Sequence, residues 1–91
     1  MSGLDGMYRM RAGLLAKATA QQWIPGEGLA HSRVRLSPDG QEAYFTTLDP
    51  ETNAANGERA LNAHDIVMTL GDGSAWVVSA HDLNETWEKV S

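Results

Sequence analysis

A tryptophan beside two glycines is the first feature of this sequence that could do chemistry. The segment QQWIPGEG places Trp23 two residues before Pro25 and close to Gly26 and Gly28. Glycine lets backbone bend sharply or approach another group, and a flat ring beside free backbone N–H groups suits stacking on a nucleobase. Because the glycines leave a ring face without a local cover, we expect Trp23 to form one wall of a ligand site. The alternative is a core anchor before a tight turn.

Two further groups of residues could complete such a site. Arg33 and Arg35 alternate with apolar residues in a predicted strand, so we expect them to share one face and to pair with phosphate oxygens. Trp76 lies shortly before Ser79 and Asp82, which could bond ribose hydroxyls. Gly26 and Gly28 would admit the ligand close to backbone.

Catalytic and metal chemistry find little support in the residue pattern. His-Asp pairs occur at 64–65 and 81–82, but neither comes with the further His and Asp ligands of a metal phosphohydrolase. Ser32, Ser74 and Ser79 lack a nucleophile elbow, and the GDG and GEG segments fit turns better than phosphate loops. The sequence therefore predicts no enzyme, no metal site and no cofactor.

Composition limits the classes of partner. The chain has 91 residues, a net charge of −5 and no cysteine. We expect one domain over 1–91 with a thin core, and self-association as a dimer or tetramer in place of disulfides. We expect no direct nucleic-acid binding, because the chain is acidic and its only tight basic pair is Arg33 and Arg35. No apolar run is long enough to span a membrane, and the expected location is the cytoplasm.

The predicted fold is α+β, with one N-terminal helix packed on an antiparallel sheet of about five strands. Good helix formers and apolar residues at helical spacing predict a helix at about 7–20. SRVRL and EAYFTTL around SPDG predict one hairpin, and DIVMTL and SAWVVSA around GDG predict a second. The polar segment 49–59 predicts a surface loop. Ser79 is predicted to cap a helical turn, with ETWEKV as a short last strand.

Motifs near both ends of the chain together resemble a known family. The motif W-x-x-G-x-G follows LL-x-K, here Leu14, Leu15 and Lys17, and the closing segment is DGSAWVVSAHDLNETWEKV. Both resemble the phage Thoeris anti-defence sponges over the first and last thirds of the chain, although Pro25 adds a residue to the opening motif. The resemblance implies binding of a cyclic nucleotide-derived immune signal, such as a cyclised ADP-ribose species, without destroying it. It also implies homo-oligomers with ligands at subunit interfaces.

Two functions from different classes follow. The first is an oligomeric, non-catalytic binder of a small anionic nucleotide-derived signal, which would counteract an anti-phage defence system. The alternative is an acidic, anti-CRISPR-like inhibitor that binds a host nucleic-acid-handling or defence complex. Its surface would carry Asp49, Glu51, Glu58 and Asp65. A third possibility is a small structural subunit.

Overall fold

β-Strands dominate the part of the chain that the structure describes. A computed structural model describes residues 4–10 and 17–90, and these contain eight strands and one short helix. The strands are β1 (Gly6–Met10), β2 (Lys17–Gln22), β3 (Val34–Leu36), β4 (Ala43–Leu48), β5 (Ala55–Ala60), β6 (Ile66–Leu70), β7 (Ala75–Val78) and β8 (Trp87–Lys89), and the helix is α1 (Ala80–Thr86).

The chain divides into two compact units, each with its own sheet. The first unit combines residues 1–22 and 64–91, and its described part holds a five-stranded antiparallel sheet in the order β7-β6-β2-β1-β8. The second unit comprises residues 23–63 and holds a three-stranded antiparallel sheet in the order β3-β4-β5. The expectation of one domain over 1–91 stays a prediction.

The predicted N-terminal helix is wrong, and with it the α+β fold class. Its described parts form β1 and β2, which pair with each other in antiparallel register; residues 11–16 lie outside the described part. Burial alternates along these strands: Tyr8 is buried between exposed neighbours, and Ala18 and Ala20 are buried while Lys17 and Thr19 are exposed. Helix propensity is only a weak preference, and pairing between strands overrides it. The alternating burial of β1 and β2 is typical of strands with one buried face.

The core of the first unit lies on one face of its sheet. Tyr8 donates its hydroxyl proton to the Leu4 carbonyl oxygen at 2.7 Å, and burial raises the pKa of this phenol. Leu83 of α1 is fully buried. Trp76 and Val78 of β7 pack on this core. The buried members of the core are Tyr8, Ala18, Ala20, Ile66, Met68, Leu83 and Trp87.

Both predicted hairpins and the last strand are confirmed. β3 pairs with β4, β6 pairs with β7, and β8 pairs with β1, all in antiparallel register. Ser79 is the N-cap of α1, and its Oγ accepts a hydrogen bond from the Asp82 backbone N–H at 3.1 Å. α1 has seven residues, and within the described chain no helix is long and apolar enough to cross a membrane.

The segment 49–59 is a surface loop only in its first half. Asp49 accepts hydrogen bonds from the backbone N–H groups of Glu51 and Thr52, which builds a turn. From Ala55 onward the chain forms β5, which pairs with β4 and is exposed along its whole length. The strand was missed because its residues, ANGERA, have no apolar alternation and are poor strand formers.

Candidate functional site

The turn after Trp23 has the backbone geometry that its glycines predict. Gly26 and Gly28 have φ values of +86° and +78°, in the left-handed region that favours glycine. The Glu27 N–H donates to the Ile24 carbonyl oxygen at 3.0 Å, and the Gly26 N–H donates to the Gly40 carbonyl oxygen at 2.9 Å. The second bond ties this turn to the turn between β3 and β4.

Close packing adds a second reason for glycine at position 26. A Cβ there would lie 3.3 Å from Nε2 of Gln41, whereas a Cβ at Gly28 would meet nothing within 4 Å. Gly26 therefore lets the turn approach the side chain of Gln41.

A cavity of about 360 Å³ lies beside this turn, within the second unit. Its size falls at the lower end of the range of about 300–1,000 Å³ that is typical of small-molecule sites. Aromatic, aliphatic and polar groups line it together, as in a ligand site. The lining residues are Trp23, Pro25, Gln41, Glu42, Ala43, Tyr44, Ala60, Leu61 and Ala63.

Trp23 is a wall of this cavity, but its ring is not an open platform. The side chain is 1% exposed, so the expectation of an uncovered ring face is wrong. The neighbouring glycines have no side chains to cover the ring, and tertiary packing covers it instead. Trp23 is therefore both a buried anchor and a cavity residue.

Among residues 4–10 and 17–90, every fully buried side-chain nitrogen or oxygen has a hydrogen-bond partner.

Glu42 and Tyr44 supply the titratable groups of the cavity lining. The Tyr44 hydroxyl donates to Oε2 of Glu42 at 2.5 Å, and this bond to a carboxylate raises the pKa of Tyr44. The pair was missed in the sequence, although a Glu and a Tyr two residues apart at the start of a strand point to the same side. Gln41, also missed, adds an amide.

The guanidinium of Arg33 is bound by residues of the second unit. Its Nε and Nη2 both donate to the Thr46 carbonyl oxygen, at 3.2 and 2.8 Å, and its guanidinium lies 4.4 Å from the centre of the Phe45 ring. Its backbone N–H donates to Nδ1 of His31 at 3.1 Å. Burial, followed by the charge of Arg33, lowers the pKa of His31 and so preserves the neutral ring that can accept this bond.

Arg35 is engaged in an ion pair on the exposed side of the hairpin. Its Nε and Nη2 donate to the two carboxylate oxygens of Glu58, each at 2.9 Å, and its guanidinium lies 4.6 Å from the centre of the Tyr44 ring. The two arginines thus lie over the rings of adjacent residues of β4, which point to opposite faces. Neither lines the cavity.

Trp76, Ser79 and Asp82 belong to the first unit. Trp76 lies against Trp87, with ring centroids 6.0 Å apart, and packs on the hydrophobic core. Ser79 caps α1 through its bond to Asp82, so both have a structural role.

Of the predicted site residues, Trp23 lines the cavity, whereas Gly26 and Gly28 lie in the adjacent turn and are not among the lining residues. Trp76 packs on the core of the first unit, and Ser79 caps α1.

The carboxylates of the acidic-surface hypothesis are partly committed to internal contacts. Asp49 organises the turn after β4, and Glu58 pairs with Arg35. Among residues 4–10 and 17–90, no three His, Cys, Asp or Glu side chains are grouped so as to hold a metal ion.

Comparison with known proteins gives no relatives. No family model, no curated protein and no solved structure matches this chain. The site must therefore be interpreted from its own residues.

Proposed function

We propose that the protein binds a small nucleotide-derived molecule in the Trp23 cavity, through its base, and holds it without chemical change. The observation that carries this proposal is the cavity itself: about 360 Å³, with a lining that is about equally polar and apolar. Small-molecule sites are usually concave and combine apolar surface with placed polar groups. The half-buried Tyr44 is suited to contact a flat heterocycle, and the buried Trp23 contributes to the cavity wall.

The cavity lining favours binding over catalysis. Its titratable groups are Glu42 and Tyr44, and the hydrogen bond to Glu42 raises the pKa of Tyr44. Hydrolysis would require a nucleophile, a base and a group that orients the base, all within reach of one reacting atom. The lining residues do not include such a set.

Retention without turnover would make the protein a sponge for its ligand. This agrees with the resemblance of its two motifs to the phage anti-defence sponges, and it suggests action in the cytoplasm of an infected host. We also propose that the chain forms a dimer or tetramer, because so short a chain without cysteine has a thin core. Light scattering at about 50 μM should give a multiple of the 9.9 kDa chain mass. A monomer at that concentration would contradict the oligomer.

NMR of the indole N–H groups tests the ligand site directly. Three tryptophans give three indole signals, which single Trp→Phe variants assign. Addition of nucleosides and of linear or cyclic nucleotides should shift the Trp23 signal and leave that of Trp87 in place. Native mass spectrometry of the same sample should show the ligand bound with its mass unchanged. No shift of the Trp23 signal with any compound, or an altered ligand mass, would overturn the proposal.

Trp23→Phe is the matched functional variant. It keeps an aromatic ring in the wall but makes it smaller, so ligand affinity should fall about two- to tenfold through lost contact area. Trp23→Ala is unsuitable, because truncation of a buried Trp costs about 3–5 kcal/mol. Trp76→Phe is the control and should leave affinity unchanged. An equal loss in Trp76→Phe would return the binding site to the first unit.

A further inference from the structure

Tyr44 is held at two points by neighbouring side chains. Its hydroxyl donates to Oε2 of Glu42 at 2.5 Å, and the guanidinium of Arg35 lies over its ring, 4.6 Å from the centre. The first contact is a hydrogen bond to a carboxylate, and the second is within the range of a cation–π interaction. Together they fix the hydroxyl end and one face of the ring, so they favour a single position of the ring.

Glu58 in turn fixes Arg35. Nε and Nη2 of the guanidinium each donate at 2.9 Å to a carboxylate oxygen of Glu58. This bidentate geometry sets the orientation of the guanidinium plane as well as its position. Arg35, Tyr44 and Glu58 lie on β3, β4 and β5, so all three strands of the sheet contribute to holding this ring.

The cavity borders Tyr44 but not the residues that support it. Tyr44 is a lining residue, whereas Arg35 and Glu58 are not. The part of Tyr44 at the cavity is therefore not the part that Arg35 covers. The stack of Arg33 on Phe45 differs, because Phe45 is 5% exposed and does not line the cavity.

We infer that Tyr44 is the ring against which the flat heterocycle of the ligand packs, and that Arg35 and Glu58 are positioning residues that hold this ring in place. The inference rests on the proposed function and names the residue that makes the contact. Tyr44 is half-buried, whereas Trp23 is 1% exposed and has little surface to offer a ligand. A ring that is already fixed loses less freedom on binding, so more of the contact contributes to affinity.

The NMR signals of the Tyr44 ring test the contact directly. The chain has two tyrosines, Tyr8 and Tyr44, so Tyr44→Phe assigns both sets of ring signals. A nucleoside or nucleotide that shifts the Trp23 indole signal should also shift the Tyr44 ring signals, because a stacked heterocycle changes the local magnetic field. The signals of Tyr8, which is buried in the core of the first unit, should stay in place.

Loss of the aromatic ring should have the largest effect on affinity. Tyr44→Leu keeps an apolar side chain at a half-buried position, and affinity should fall about tenfold, within the usual range for one stacked base. Tyr44→Phe keeps the ring but loses the bond to Glu42, so affinity should fall only about twofold. Titration calorimetry measures both, and a melting curve of each variant shows that it is folded.

Glu58→Gln tests the positioning role. It removes the charged, bidentate partner of Arg35 at an exposed ion pair, so the melting temperature should stay close to that of the parent while affinity falls about two- to threefold. In the Tyr44→Leu background the same substitution should have no further effect, because Glu58 acts through the Tyr44 ring. Glu51→Gln is the matched control, since it removes the same charge from an exposed turn outside the cavity and should leave affinity unchanged.

The outcomes separate this inference from the proposed function. If the Trp23 signal responds and the Tyr44 signals do not, or if Tyr44→Leu binds like the parent, the inference is overturned and the proposed function stands. An equal loss from Glu58→Gln with and without the Tyr44 ring overturns the positioning role. No response of either residue to any nucleoside or nucleotide overturns both.

Discussion

The β3–β4 and β6–β7 hairpins have similar turns, but their strands differ in burial. In β3–β4 the Gly40 N–H donates to the Ser37 carbonyl oxygen at 2.9 Å, and in β6–β7 the Gly73 N–H donates to the Leu70 carbonyl oxygen at 3.0 Å. Both glycines have left-handed φ values, +74° and +92°. Each is preceded by an Asp whose carboxylate accepts a hydrogen bond from backbone two residues further on, at Gln41 or Ser74.

β6 and β4, one strand from each hairpin, differ in burial. Ile66, Val67 and Met68 of β6 are all 0% exposed, so β6 is covered on both faces. In β4, Ala43 and Phe45 are buried while Tyr44 and Thr46 are half-buried. A strand with one accessible face can present Tyr44 to a cavity and to Arg35, whereas the covered residues of β6 serve in packing.

The largest changes in stability should come from substitutions at the buried positions of β6 and β4. Met68→Ala should lower the free energy of unfolding by about 2–5 kcal/mol, and Val67→Ala by about 1–3 kcal/mol, because each leaves a cavity in a packed site. In β4, Phe45→Ala should cost about 3–5 kcal/mol, whereas Thr46→Ala should cost less than about 1 kcal/mol. Urea unfolding followed by circular dichroism measures all four. If Val67→Ala were as mild as Thr46→Ala, the contrast between the hairpins would be wrong.

An intermediate effect is expected in the turns, and it should be equal in both. Gly40→Ala and Gly73→Ala should each destabilise by about 1 kcal/mol, because a Cβ is strained at positive φ. At both positions a Cβ would meet nothing within 4 Å, so the cost is conformational. Gly71→Ala, in the same turn as Gly73 but without a positive φ, is the control and should be close to neutral. Thermal melts of the three variants would reveal an unequal cost, which would separate the two turns.

The smallest effect is a dependence of stability on pH that both turns share. Bonds from the Ser37 hydroxyl and the Gln41 N–H lower the pKa of Asp39, and bonds from the backbone and side chain of Ser74 lower that of Asp72. Because folding lowers both pKa values, the ionised carboxylates stabilise the fold above the ordinary Asp range. This stabilisation is lost as pH falls through the lowered values.

Asp39→Asn and Asp72→Asn should each flatten the decline of the melting temperature in acid. Melting temperatures measured from neutral pH to about pH 3 would show it, since that window reaches below the ordinary Asp pKa. A decline as steep as that of the parent protein in both variants would mean that other carboxylates control acid unfolding. The Arg35–Glu58 pair is the first of these, because its hydrogen bonds lower the pKa of Glu58 in the same direction.

The candidate site was partly visible in the sequence. Trp23 and its glycines were identifiable, because an indole beside two glycines is unusual without a packing or binding reason. Glu42 and Tyr44 were not, since a Glu and a Tyr in a strand are ordinary until a cavity opens beside them. The sequence predicts phosphate contacts for Arg33 and Arg35. In the structure their guanidinium groups instead donate hydrogen bonds to the Thr46 carbonyl oxygen and the Glu58 carboxylate, which are remote in sequence.

The sequence by itself determined the parts of this protein that depend on one or two residues. The hairpin turns, the Ser79 cap and the short last strand follow from dihedral preferences and hydrogen bonds that act within a few residues. Tertiary structure decided the rest. β1 and β2 are strands because β8 and β6, from the far end of the chain, pair with them. Ala, Met and Lys favour a helix only weakly, and pairing with distant strands is stronger. The burial of Trp23, and the cavity beside it, likewise exist only once distant residues pack together.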